Sequence, residues 1–156
     1  MPRLDRLSEA SRRTLLTFPA QLNATTPGAV LTKPIETCRL ALVTTGGLHR
    51  RGDRPFQPGD QSYRVIPSDT DTIDIVQSHT SIGFDRTAIM RDINVTFPVD
   101  RVRELVQRGA LGALAPLSYS FMGALRDVVR LERETAPEVA RRLRDEGVDV
   151  ALVTPT

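Results

Sequence analysis

Apolar residues recur along this chain in three patterns. Two short stretches are almost continuously apolar and rich in β-branched residues, CRLALVTT over Cys38 to Thr45 and VDVALVTPT over Val148 to Thr156. Runs of that length and composition predict strands buried on both faces of a parallel sheet. Spacings of three and four place Val99, Val102, Leu105 and Val106 on one stripe of Pro98 to Arg108. That predicts a helix with proline tolerated in its first turn and Gly109 at its stop. Pro2 to Phe18, Ala124 to Arg133 and Ala136 to Gly147 read as further helices, with Thr135 as a cap ahead of Pro137. Alternation over Asp71 to Gln77 predicts a half-exposed strand. Ala110 to Leu117 predicts another strand, with Ser118 to Gly123 as its exit loop, and Tyr63 to Ile66 a short extended piece on the rim, ended by Pro67. Ala20 to Lys33 reads as a loop.

Helical and strand patterns that alternate in this way predict an α/β fold, a single three-layer domain with a mainly parallel sheet. Leu40 to Thr44 and Val150 to Thr154 are expected at its centre, because both are too apolar for a wet edge. The division expected is an N-terminal helix and loop over residues 1–37 and the α/β domain over residues 38–156, incomplete at its C-terminal side. Ligands of open parallel sheets gather beyond the carboxyl ends of the strands. His49 and His79 each follow a predicted strand, so both are expected in one cleft on the same edge as Thr156.

Composition narrows the class without naming an activity. The chain has 156 residues, 40% hydrophobic and 26% charged, as expected for one soluble globular domain. A formal net charge of +2 gives little pull on nucleic acid or anionic lipid. The single cysteine, Cys38, excludes an internal disulfide and fits a reducing cytoplasm. No run approaches the roughly 18 apolar residues of a membrane span, and no GxSxG, P-loop, GxGxxG or HExxH pattern is present.

The candidate chemistry lies in the loops. His49 and His79, with Asp53, Asp60, Asp85 or Asp92 nearby, would suit a mononuclear metal or a general base; the alternative is two ordinary loop histidines bonded locally. Gly46-Gly47 brings backbone amides near an anion or simply makes a turn. Cys38 opens a buried strand without a CxxC partner and reads as a small buried hydrophobe.

Five blocks carry a more specific signal: GLHRRGDRPF (Gly47 to Phe56), GDQSYRVIP (Gly59 to Pro67), SHTSIGFDR (Ser78 to Arg86), RDINVTFPVDRVREL (Arg91 to Leu105) and GALAPLSYSFMG (Gly112 to Gly123). Together with EVARRLRDEGVDVALVTPT they resemble the selenoprotein B family, the substrate-handling subunits of the glycine, sarcosine, betaine and D-proline reductases. The resemblance runs from about Cys38 to Thr156. It implies reductive cleavage of a C–N bond in a small amine or amino acid, with a selenocysteine or cysteine directly after the strand that matches Val148 to Thr154. That residue would follow Thr156. A thiol or selenol at a helix N-terminus there would have its anion stabilised by free amides.

The resemblance also implies that His49, His79 and Asp85 serve in catalysis and that Tyr63, Arg64, Asp92 and Asn94 bind substrate, Arg64 by pairing with a carboxylate. It calls for no metal and no cofactor within this chain, and for a pyruvoyl group on a partner subunit in several members. A homo-oligomer or a partner reductase subunit is expected to cover apolar surface beside the last strand. A second reading keeps the scaffold and drops the chemistry, leaving a binding or assembly protein, since an α/β fold alone implies no reaction.

Overall fold

The computed structural model describes residues 4–17, 28–81, 84 and 86–155. Most of the expected Ala20 to Lys33 loop, with Asp85 and Thr156, lies outside these residues. The chain divides into two compact units, one up to Val30 and one from Leu31 onward. In the first, helix α1 (Glu9–Leu16) starts at Ser8, whose hydroxyl accepts from the Ser11 N–H at 3.2 Å. That bond satisfies one of the amides a helix start leaves open.

The second unit is a three-layer α/β arrangement around strand β1 (Arg39–Thr44). Along β1 the side chains alternate between two cores, as a strand's period of two requires. Leu40 and Leu42 face a cluster with Ile66, Phe97, Val99 and Val102, and Val43 faces one with Tyr63, Tyr119, Phe121 and Val139. The first core is closed by helix α3 (Val99–Gln107), which runs from Pro98 to a Gly109 with φ +71°. The second is closed by helix α4 (Ala136–Asp145), followed by Gly147 at φ +68°. Both helices and their glycine stops fall where the apolar spacing puts them.

Four further strands complete the main sheet. Strand β3 (Tyr63–Pro67) pairs antiparallel with β6 (Leu117–Phe121), which pairs parallel with β1 at Val43↔Tyr119 and Thr44↔Ser120. The two-residue β5 (Ala113–Leu114) pairs parallel with the start of β1. On the other flank, β7 (Val150–Thr154) runs parallel to β1 in register from Leu40↔Val150 to Thr44↔Thr154. A separate antiparallel ribbon joins β2 (Leu48–Arg50) to β4 (Ile75–Gln77), and a short helix, α2 (Thr87–Arg91), follows.

Four expectations are corrected. Ser118 to Gly123 is not an exit loop, because most of it is strand β6, with Ser118, Tyr119 and Ser120 fully buried. Its hydroxyls make it look loop-like, yet Ser120 Oγ accepts from the Leu48 N–H at 2.8 Å and Ser118 Oγ lies 3.2 Å from Ser68 Oγ. A buried hydroxyl with a partner is tolerated in a core. Val150 to Thr154 forms the expected strand, but at the sheet edge rather than its centre: Leu152 is 38% and Val153 56% exposed. Residues 124–128 are not helical. Finally, Thr135 is no cap: a π-helical turn over Leu131–Thr135 runs straight into α4, and its hydroxyl donates to the Gln61 carbonyl at 2.8 Å.

Candidate functional site at the carboxyl edge

Strands β1 and β7 end side by side, and their last residues are tied together by hydroxyls. The Thr154 hydroxyl donates to the Thr96 carbonyl at 2.7 Å. The fully buried Thr44 hydroxyl lies 3.2 Å from that same carbonyl and 3.3 Å from the Thr154 carbonyl, and accepts from the Gly46 N–H at 3.1 Å. The Thr45 N–H donates to the Thr154 carbonyl at 3.2 Å. Gly46 has no room for a side chain, since a Cβ there would stand 2.5 Å from Thr96 Cγ2. The end of β7 is therefore held tightly against the turn that leaves β1. Composition alone did not single out Thr44, Thr96 or Thr154; two apolar runs each ending in threonine are the signal that would have found two of them.

Gly47 carries this edge to His79. Its N–H donates to the Phe121 carbonyl and its own carbonyl accepts from the Ser78 N–H, both at 2.9 Å. With φ +63°, a Cβ on Gly47 would lie 3.0 Å from the His79 backbone, so only glycine fits there without displacement. His79 is buried, at 1% exposure. Its Nδ1 accepts from the Ser81 N–H at 3.2 Å, which assigns the ring proton to Nε2. That Nε2 is buried with no partner among the described residues. Phe84 stacks on the ring at 4.6 Å and 28°, and the Arg86 guanidinium donates to the His79 carbonyl. Burial, and then the Arg86 charge, hold the His79 pKa below 6.5, so the ring is kept neutral.

The other expected site residues serve local structure. His49 sits inside β2 opposite Val76, not in a loop after β1, and its Nδ1–H donates to the Arg50 carbonyl at 2.9 Å. Parallel strands do not deliver both histidines to one side, because the strand that carries His49 and the strand that precedes His79 are antiparallel members of the small ribbon. Arg64 is engaged in full: it bonds Asp60 at 3.0 Å, the Arg54 carbonyl at 2.7 Å and Ser62 Oγ at 2.8 Å, and stacks over Phe56 at 4.2 Å. Those contacts pin the 54–62 loop and leave Arg64 poorly placed to receive a substrate carboxylate. Burial raises the Asp60 carboxyl, but hydrogen bonds from Ser62 and Arg64 outweigh it and leave its pKa lowered.

Tyr63 donates to Glu138 Oε1 at 2.6 Å and packs edge-on against Tyr119 at 5.8 Å. Burial, followed by the Glu138 bond, raises its pKa. Asp92 and Asn94 line an open groove of about 760 Å³ beside Ile75, Ile89 and Arg86. Both are capping groups. Asp92 Oδ1 accepts from the Asn94 side-chain amide and then from its backbone N–H, both at 2.9 Å, which lowers its pKa, and Asn94 Oδ1 accepts from the Asp100 N–H at 3.0 Å in the first turn of α3. Asp85 lies outside the described residues. Among the described residues no group of three or more His, Cys, Asp or Glu is placed to hold a metal, and no helix is long and apolar enough to cross a membrane. The carboxyl edge thus offers hydroxyls, carbonyls and, among the described residues, an imidazole N–H without a partner, a set of donors and acceptors suited to a small polar ligand.

Comparison with known proteins places the chain in a family. The family described as glycine/sarcosine/betaine reductase selenoprotein B matches residues 4–156. The chain is 42% identical over 125 residues to the D-proline reductase subunit gamma of Acetoanaerobium sticklandii, covering 80% of this chain and 51% of that protein. It is 30% identical to the glycine reductase complex component B subunit gamma of Symbiobacterium thermophilum, covering 80% of this chain and 30% of the relative. It is 28% identical to the sarcosine reductase complex component B subunit beta of Peptoclostridium acidaminophilum, covering 80% and 29%. The chain spans about half the length of the first of these relatives and under a third of the other two. No solved structure matches it. With the family match running through nearly all of its residues, the chain belongs to the glycine/sarcosine/betaine reductase selenoprotein B family.

Proposed function

We propose that this chain is part of a reductase-complex subunit that cleaves a C–N bond in a small α-amino carboxylate, with a selenocysteine or cysteine placed directly beyond Thr156. One observation carries the reading. Strand β7 holds register with β1 through all five pairs and ends with Thr154 bonded to the Thr96 carbonyl, so whatever follows leaves the sheet at its carboxyl edge. The selenol or thiol supplies a nucleophile for the carbon that bears the amine, while the C–N electron pair leaves on nitrogen. The chain's own residues support that placement by ordering the strand ends before it: Thr44, Thr96 and Thr154 lock the edge, and Gly46 lets the backbones meet. A pyruvoyl group on a partner subunit would activate the amine; relatives that carry the names of reductase subunits support a multi-subunit setting and no more. The open flank of β7 is where further polypeptide would pack.

The test uses the intact subunit together with its partner subunits and a dithiol donor. It is supplied in turn with nitrogen-labelled glycine, sarcosine, betaine and D-proline, and C–N cleavage is read by mass spectrometry. Dithiol-dependent cleavage of one of them is the expected result. No cleavage of any would leave the chain as a binding or assembly scaffold.

A further inference from the structure

Building on that reading, we infer that His79 touches the substrate itself, donating its Nε2–H to a carboxylate oxygen of the bound α-amino carboxylate. The donor is preorganised. Ser81 fixes which nitrogen carries the proton, Phe84 fixes the ring plane from one face, and Gly47 seats the His79 backbone against the turn leaving β1. Phe84 lies over the ring face, not along the in-plane direction in which the N–H points. A buried donor without a partner is uncommon in a folded chain, and functional sites are where such groups persist.

The acceptor follows from the chemistry of the ligands. Glycine, sarcosine and D-proline carry a nitrogen that is an ammonium at neutral pH, a donor with no lone pair to offer, so carboxylate oxygens are their only acceptors. His79 is kept neutral by burial and by Arg86, so it meets that carboxylate as a hydrogen-bond donor, not as an ion-pair partner. The nearby Arg86 guanidinium, bonded to the His79 carbonyl, adds favourable charge. His49 cannot share the role, because its Nδ1–H is already bonded to the Arg50 carbonyl.

The experiment labels the histidines of the intact subunit with nitrogen-15 and follows the side-chain N–H signals, with that of His79 identified by its loss in His79→Phe. Saturable movement of this signal by at least one of glycine, sarcosine, betaine and D-proline, with none on adding methylamine or pyrrolidine, is the expected result. His79→Phe should weaken binding of the effective ligand by tenfold or more, while His79→Gln, which keeps an N–H, should recover most of it. The inference is overturned if the amino acids bind without moving the signal, if none binds, if the carboxylate-free amines move it equally, or if His79→Gln is no better than His79→Phe. Turnover with an unmoved His79 signal would sink this inference alone. Movement without turnover would sink the reductase reading and leave His79 as a binding group.

Discussion

Strands β6 and β7 lie on opposite flanks of β1, and their burial reverses what their compositions suggest. The polar one, LSYSF, is buried from Ser118 to Phe121, whereas the apolar one, VALVT, leaves Leu152 and Val153 open to solvent. The cause is neighbourhood. Strand β6 is paired on both sides, by β3 and β1, and its hydroxyls find partners in Leu48 and Ser68. Strand β7 is paired by β1 alone among the described residues. An apolar run shows what a strand can bury; the strands beside it decide what it does bury.

That contrast can be broken by substitution, and the largest effect is expected at Tyr119. Its side chain is fully buried between β1, β3 and α4, so Tyr119→Ala should cost about 3–5 kcal/mol in urea unfolding. The hydroxyl is a smaller part of that. Burial and the Glu146 carboxylate push its pKa up to about 12, and Tyr119→Phe, which removes a hydrogen bond to that carboxylate, should cost about 1.5–3 kcal/mol. Ser120→Ala comes next. It leaves the buried Leu48 N–H without its acceptor, at a cost of about 1–3 kcal/mol, more than its lost hydroxyl would suggest for a loop serine.

Acid should sharpen the comparison more gently. The folded-state pKa of His79 lies below 6.5, so as pH falls through that value the unfolded chain takes a proton that the folded one refuses. Stability at His79 is therefore full above 6.5 and declines below it toward the folded pKa. Between about pH 7.5 and about pH 5.5 the wild type should lose more stability than His79→Phe, measured by the urea midpoint at each pH. The smallest effect belongs to β7. At 56% exposure, Val153→Ala should change stability by no more than about 0.5 kcal/mol in this chain, and a cost above about 2 kcal/mol would mean that β7 is covered in solution.

Much of the scaffold was legible from periodicity. The positions of β1, α3, α4 and β7, and the glycine stops at Gly109 and Gly147, follow from apolar spacing and backbone freedom. What periodicity could not supply is the partner that each polar side chain finds in the folded chain. Thr135 looked like a cap, but the carbonyl of Gln61, 74 positions earlier, takes its hydroxyl. Arg64 and Asn94 looked available for substrate, yet Arg54, Asp60 and Asp100 already hold them. The histidines could be located in the sequence but not distinguished. Only the folded chain shows that His49 donates to its neighbour's carbonyl while His79 keeps a buried N–H unpaired among the described residues.

The most direct test of the account asks which residue reacts. The intact subunit is treated at mildly acidic pH with a thiol- and selenol-directed alkylating agent, digested, and mapped by mass spectrometry. The account predicts one dominant label, on the residue immediately following the VALVTPT segment of Val150 to Thr156, with loss of C–N cleavage in proportion to labelling. Cys38 should stay unlabelled, because it is fully buried with its thiol turned to the Pro34 carbonyl at 3.3 Å. Inactivation that tracks a label elsewhere, or cleavage that survives complete labelling at that position, would contradict the placement of the chemistry at the carboxyl edge of β1 and β7.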